Sequence, residues 1–229
     1  MCGRYVLSSW SDVIDQLGLT LEEPDWFEAR YNVAPTQVEP VLMRRAPEAP
    51  LDAAPMRWGL VPHWADDLKF GARCINARSE TAHTKPSFRD AFTRRRCVVP
   101  VTGFYEWRRV GKERRPYFVH DERGLPLLFA GLWSTWRDAA AERNVETFTV
   151  LTREAEGALT EIHDRMPVCL EPQDAHHWTD PAGSERAVLA GWLAERPPGR
   201  LALRPVATTV NRVGNEGPHL LEEHPDHGA

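Results

Sequence analysis

The run Cys97 to Trp107, Cys-Val-Val-Pro-Val-Thr-Gly-Phe-Tyr-Glu-Trp, constrains the fold more than any other stretch. β-branched and aromatic side chains suit a pleated sheet and lose rotamer freedom in a helix. The run reads as a strand, with Gly103 as a bulge or a point of close backbone approach. Val38–Met43, Pro55–Leu60, Phe148–Thr152 and Leu201–Val206 have the same character. Tyr117–His120 and Leu125–Leu132 are parted by the turn-type cluster Asp121 to Gly124, which predicts a hairpin. Tyr31–Pro35 is extended, because Pro35 disfavours helix before it.

Helical patterns are scattered between these runs. Ser9 or Ser11 can cap a helix with Val13, Ile14 and Leu17 on one face and Gly18 at its end. Short helices are predicted over Ser87–Arg95, from Pro172 through His176, His177 and Trp178, and over Ser184–Glu195. Trp10, Trp26, Trp58, Trp133 and Trp192 are expected to anchor the core. With no internal repeat and no Gly/Ser-rich linker, the pattern predicts one mixed α/β (α+β) domain over residues 1–215. Its expected form is a largely antiparallel sheet or open barrel with peripheral helices. Residues 216–229 are expected to form a frayed polar tail.

Composition narrows the function classes. The chain has 229 residues and lacks any run of about 18 apolar residues, so no membrane-spanning helix is expected. The start, MCGRYVLSSW, has no leader pattern, which predicts a cytoplasmic protein. Four widely spaced cysteines, Cys2, Cys74, Cys97 and Cys169, form no Cys-x-x-Cys pair, so neither metal nor other cofactor is called for. A net charge of −5 argues against a generally basic nucleic-acid binder. Yet Arg73, Arg78, Arg89, Arg94, Arg95 and Arg96 crowd one stretch, and such a patch grips phosphates even on an acidic protein. The competing reading is a solvated charged face.

Cys2 is the chemically distinctive residue. Once Met1 is removed, one Cα carries an amine with pKa near ~7.8 and a thiol near ~8.5. That pair captures aldehydes: the amine forms an imine and the sulfur closes a thiazolidine. The plain alternative is a small residue that happens to follow the initiator. Gly3 would let the terminus approach a substrate closely, and Arg4 suits a phosphate or carboxylate. In the extended run Ile75 to Glu80, Asn76 and Arg78 share a face, which suits base, sugar or phosphate contacts; an Asx turn is the alternative. Glu106 amid aromatics is placed to act as a general acid or base, or else forms a structural ion pair. His163, followed by Asp164 and Arg165, can shuttle a proton or serve structure alone.

Seven motifs stand in order along the chain: MCGRY, YNVAP, WGLVPHW, INARSET, GFYEW, IHDRMPV and VGNEG. Together they resemble the SRAP family, the SOS-response-associated peptidase or abasic-site processing proteins, over nearly the whole length. The resemblance implies a single compact α/β domain with a DNA channel and a covalent crosslink to abasic sites in single-stranded DNA. It implies Cys2, Glu106 and His163 as catalytic residues, and Asn76, Arg78, Arg4, Arg165 and Thr152 as DNA-contacting or site residues. It further implies a monomer with replication-associated partners, nucleoid-associated when bound to DNA, with peptidase and weak lyase activity. Family members insert an apolar or aromatic wedge between bases. Ala65–Gly71 does not align cleanly with that wedge, which leaves Trp64, Leu68 and Phe70 as candidates. Two other classes compete: an amide hydrolase using Cys2 and His163, and a non-covalent single-strand binder.

Overall fold

A computed structural model describes residues 2–182 and 185–224. Two sheets organise the chain. The first contains β1 (Tyr5–Leu7), β2 (Arg30–Val33), β7 (Gly103–Val110), β8 (Glu113–Asp121) and β13 (Leu201–Pro205), in the order β13-β8-β7-β1-β2. The second contains β3 (Val38–Met43), β4 (Asp52–Trp58), β5 (Asn76–Arg78), β6 (Arg96–Val101), β9 (Leu127–Asp138), β10 (Arg143–Glu154), β11 (Arg165–Pro167) and β12 (Cys169–Leu170). Pairing of β9 with β10 closes β10-β4-β3-β6-β9 into a ring. The expected barrel is therefore present, with the other sheet packed beside it.

Cys97–Trp107 is two strands, not one. The chain leaves the barrel at Val101 and enters the other sheet at Gly103. A Cβ on Gly103 would stand 2.6 Å from both the Phe118 ring and the Val119 carbonyl oxygen, so close approach is what the glycine permits. The hairpin expected at Asp121–Gly124 does not form, because β8 pairs with β7 and β13 whereas β9 lies in the barrel. That turn is instead a passage between sheets, held by Asp121 accepting from the Arg123 amide at 2.8 Å.

Helix α1 (Trp10–Leu17) follows its sequence signals: Ser9 accepts from the Asp12 amide, and Gly18 ends it at φ 62°. The remaining helices are α2 (Ser79–Ala82), α3 (Arg89–Arg94), α4 (Pro172–Thr179) and α5 (Arg186–Ala194). Trp10, Trp58 and Trp133 are buried as expected, but Trp26 is 44% exposed. It precedes β2 in a segment without regular structure, and no layer covers it.

The polar tail is not frayed where it is described. Glu216 accepts from the Tyr31 amide at 2.8 Å and pairs with Arg30 at 3.0 Å. Leu220 is buried against Val6, Tyr105, Phe118, Val206 and Val210, and Glu223 bridges Val206. One apolar side chain, one carboxylate and one backbone bridge thus pin a segment whose mean composition is polar. Residues 225–229 lie outside the described residues.

Candidate functional site

Strand alternation sets the site. In β1, Tyr5 and Leu7 face the main core and Val6 faces the smaller cluster under the C-terminal segment. In β7, Phe104 and Tyr105 divide the same way, so Glu106 falls on the main-core face with Phe104. Tyr5 pairs with Phe104 and the Tyr105 amide donates to Arg4 O at 2.9 Å. Antiparallel pairing then carries residues 4 to 2 alongside Tyr105–Trp107. Cys2 is fully buried in that core. Its thiol is pushed well above the ordinary range, first by burial and second by the Glu106 charge. Asn76 fixes the Cys2 backbone, its Nδ2 donating to Cys2 O at 2.7 Å.

Glu106 and His163 meet across a cleft of about 510 Å³ that Trp107, Arg109, Arg114, Ile162 and Asp164 also line. His163 Nδ1 lies 3.0 Å from the Arg165 amide and 2.7 Å from Asp164 Oδ1. The amide is an obligatory donor, so Nδ1 accepts and the proton of the neutral ring sits on Nε2. In that tautomer Nδ1 and the Asp164 carboxylate are both acceptors, and Asp164, with its side chain 83% exposed, is the one able to turn away.

Around this centre, β10 lies between β5 and β11. Thr152 pairs with Arg78 on one side and Pro167 on the other. Asn76 is half-buried, Ala77 buried and Arg78 exposed, so the amide and guanidinium share the open face. Thr152 is buried, its hydroxyl 3.5 Å from Ala77 O. Arg165 already has partners: it grips Glu80 through two bonds of 2.7 and 2.9 Å and donates to Thr152 O at 2.6 Å. Arg4 is tied to Asn32 at 2.7 Å and Val210 O at 2.9 Å, and its guanidinium lies 5.8 Å from the Trp107 ring centre.

The arginine stretch does not act as one patch. Arg96 is buried, donating to the carbonyls of Trp178 at 2.7 Å, Phe92 at 3.1 Å, and Thr93 and Asp180. Arg94 and Arg95 line a separate, larger cleft of about 1090 Å³ with Arg45, Trp133 and Arg186. None of them borders the cleft of Glu106 and His163. The arginines that do, Arg109 and Arg114, were not singled out from the sequence, although the run Arg-Arg-Val-Gly-Lys-Glu-Arg-Arg over 108–115 carries the signal. Of the wedge candidates, Trp64 is 48% exposed and edge-on to Phe70 at 5.3 Å. Leu68 packs with Val61, Ala65 and Trp136.

The profile of the SOS response associated peptidase (SRAP) family matches residues 1–213. The chain belongs to that family. It is 34% identical to the abasic site processing protein YoqW of Bacillus subtilis over 227 residues, covering 98% of this chain and all of the relative. It is 32% identical to the abasic site processing protein YedK of Escherichia coli, covering 97% and 99%. A crystal structure of a protein from Bacteroides thetaiotaomicron superposes with a TM-score of 0.81 at 22% identity, over 97% of this SRAP chain and all of the other. No helix among the described residues is long and apolar enough to cross a membrane.

Proposed function

We propose that the chain is an abasic-site processing protein. In this reading it traps the ring-opened aldehyde of an abasic site in single-stranded DNA as a thiazolidine on Cys2. Two SRAP relatives at 32–34% identity bear the name abasic site processing protein. What supports the chemistry is the placement of Cys2: it is fully buried and close enough to Glu106 that burial, first, and that carboxylate, second, push its thiol upward. A cysteine hydrolase needs a thiolate, and buried protonated thiols are inert in that role. An amine-first route forms the imine without a thiolate and calls on the sulfur only at ring closure, where Glu106 takes its proton.

Removal of Met1, which lies outside the described residues, liberates the Cys2 amine, by self-processing or by an aminopeptidase. His163 Nε2–H donates to the sugar ring oxygen and favours the open aldehyde. The amine adds to the aldehyde carbon, and water leaves as the C=N bond forms; Glu106 manages the amine protons. The thiol then adds across C=N: an S–C bond forms, and the thiol proton passes through Glu106 to nitrogen. One water is released overall. Closure removes the imine that would otherwise permit β-elimination and strand cleavage, so any lyase activity is weak.

Asn76 holds the Cys2 backbone so that amine and thiol converge on one carbon. Arg78 and Arg4 meet phosphates, Thr152 backs the strand carrying Arg78, and Arg165 joins the phosphate contacts when Glu80 yields. Trp64 is the exposed aromatic available to stack on a base.

The test is intact mass spectrometry of the processed chain with a uracil-glycosylase-treated single strand. The parent gives an adduct that survives boiling in detergent. Cys2→Ser loses it and retains a borohydride-trapped imine, while Glu106→Ala slows formation about 100-fold. A Cys2→Ala protein forming an equally durable adduct sinks the reading.

A further inference from the structure

The end of the β7–β8 hairpin is built against ordinary sheet electrostatics. Arg108 stands directly opposite Arg115, and Arg109 directly opposite Arg114. Like charges across an antiparallel pair destabilise it. Two such pairs in succession, one on each face of the ribbon, with Lys112 in the turn, set five cations against the single acid Glu113. Glu113 is engaged with Arg115 at 3.4 Å. Arg108, Arg109 and Arg114 are exposed, and their side chains make no hydrogen bond or ion pair among the described residues. Edge protection does not account for this, since mixed charges or one lysine serve that purpose.

The position of the hairpin end is equally specific. Neighbouring backbone stops short of it: beside β7 the last bond is from the Tyr105 amide to Arg4 O, and beside β8 it is from the Val206 amide to Pro116 O. The tip therefore projects as a two-stranded basic ribbon from a chain of net charge −5. Arg109 and Arg114 line the cleft of Glu106 and His163. Arg114 also lines a second cleft of about 570 Å³ with Glu113, Arg115 and Thr208. One arginine thus stands at both hollows.

We propose that this ribbon is a phosphate track for single-stranded DNA, with Arg109 and Arg114 each neutralising a backbone phosphate next to the captured nucleotide. The inference deepens the reading of the Glu106 cleft and rests on it. The cost of the like-charge pairs in the unbound protein is relieved by bound phosphate. A cation track beside a stacking surface is the general plan of sequence-tolerant single-strand binding.

The probe is a fluorescent single strand of about 15 nucleotides carrying a tetrahydrofuran abasic analogue, which has no aldehyde and cannot crosslink. Binding is followed by anisotropy over a range of salt concentrations. Each phosphate neutralised on a single strand contributes about 0.7 to the slope of log K against log salt. Arg109→Ala/Arg114→Ala is expected to lower the slope by about 1.4, and Arg109→Lys/Arg114→Lys to keep the parent value. An alanine variant with the parent slope, or a lysine variant as shallow as the alanine one, overturns the track. Failure of the parent to form a durable adduct with an aldehyde-bearing strand overturns the crosslinking reading instead, because the analogue measures binding alone.

Discussion

Glu39 makes the stability of this fold depend on pH in a calculable direction. It sits in β3 with 3% exposure, its nearest cation Arg30 at 3.6 Å. Burial lifts its carboxyl from 4.5 to about 7, against the pull of Arg30 and with a push from Glu216. Between these values the folded chain holds a proton that the unfolded chain has released. The contribution of Glu39 to stability is therefore fully present below about 4.5 and is lost as pH rises through about 7. About 2.5 pH units at about 1.4 kcal/mol each set a ceiling near 3.5 kcal/mol on the loss. Glu39→Gln keeps the shape and removes the titration. Urea unfolding of parent and variant, followed by tryptophan fluorescence from about pH 5 to about pH 8, isolates the term because every other group cancels. The variant should gain on the parent progressively, by about 2 kcal/mol at the alkaline end. Parallel curves with a constant offset would refute the reasoning.

Two further outcomes follow from single contacts. Gly103→Ala drives a methyl into the Phe118 ring and the Val119 carbonyl, at a cost of about 3 kcal/mol in urea unfolding; a loss under about 0.5 kcal/mol would mean the strands part easily there. Glu80→Gln loosens the two-bond grip on Arg165, so single-strand affinity should rise and the salt slope steepen by about 0.7. An unchanged slope removes Arg165 from the DNA interface.

Local signals were legible in the sequence, and long-range pairing was not. Ser9, Gly18 and the apolar stripe of Val13, Ile14 and Leu17 define α1 because capping and periodicity act within a few residues. Val38–Met43 is a strand with the expected bounds for the same reason. Asp121–Gly124 is a turn as predicted, but turn chemistry does not say which sheet receives the strand that follows it. Arg96 reads as surface charge in sequence and is buried in the structure. Four carbonyls, from α3 and from around the end of α4, converge on its guanidinium, and no local pattern announces such convergence. The end of the chain misleads in the same way: Glu216 and Leu220 find partners in β2 and in the small cluster, far away in sequence.

The candidate site follows this division. Cys2, Glu106, Asn76 and His163 are individually visible as unusual residues, yet they come from four segments joined by three different pairings. β1 with β7 carries the chain start toward Glu106, β5 with β10 sets Asn76 beneath the Cys2 carbonyl, and β10 with β11 follows the loop that presents His163. A residue next to a chain terminus is ordinarily loose. Here β1 is an inner strand, flanked by β7 and β2, and Asn76 clamps the residue before it. A pre-ordered terminus lowers the entropy cost of aligning amine, thiol and aldehyde carbon. Loosening it should therefore slow adduct formation even where every reacting group is retained. Asn76→Ala, which leaves the amine, the thiol, Glu106 and His163 in place, isolates that contribution.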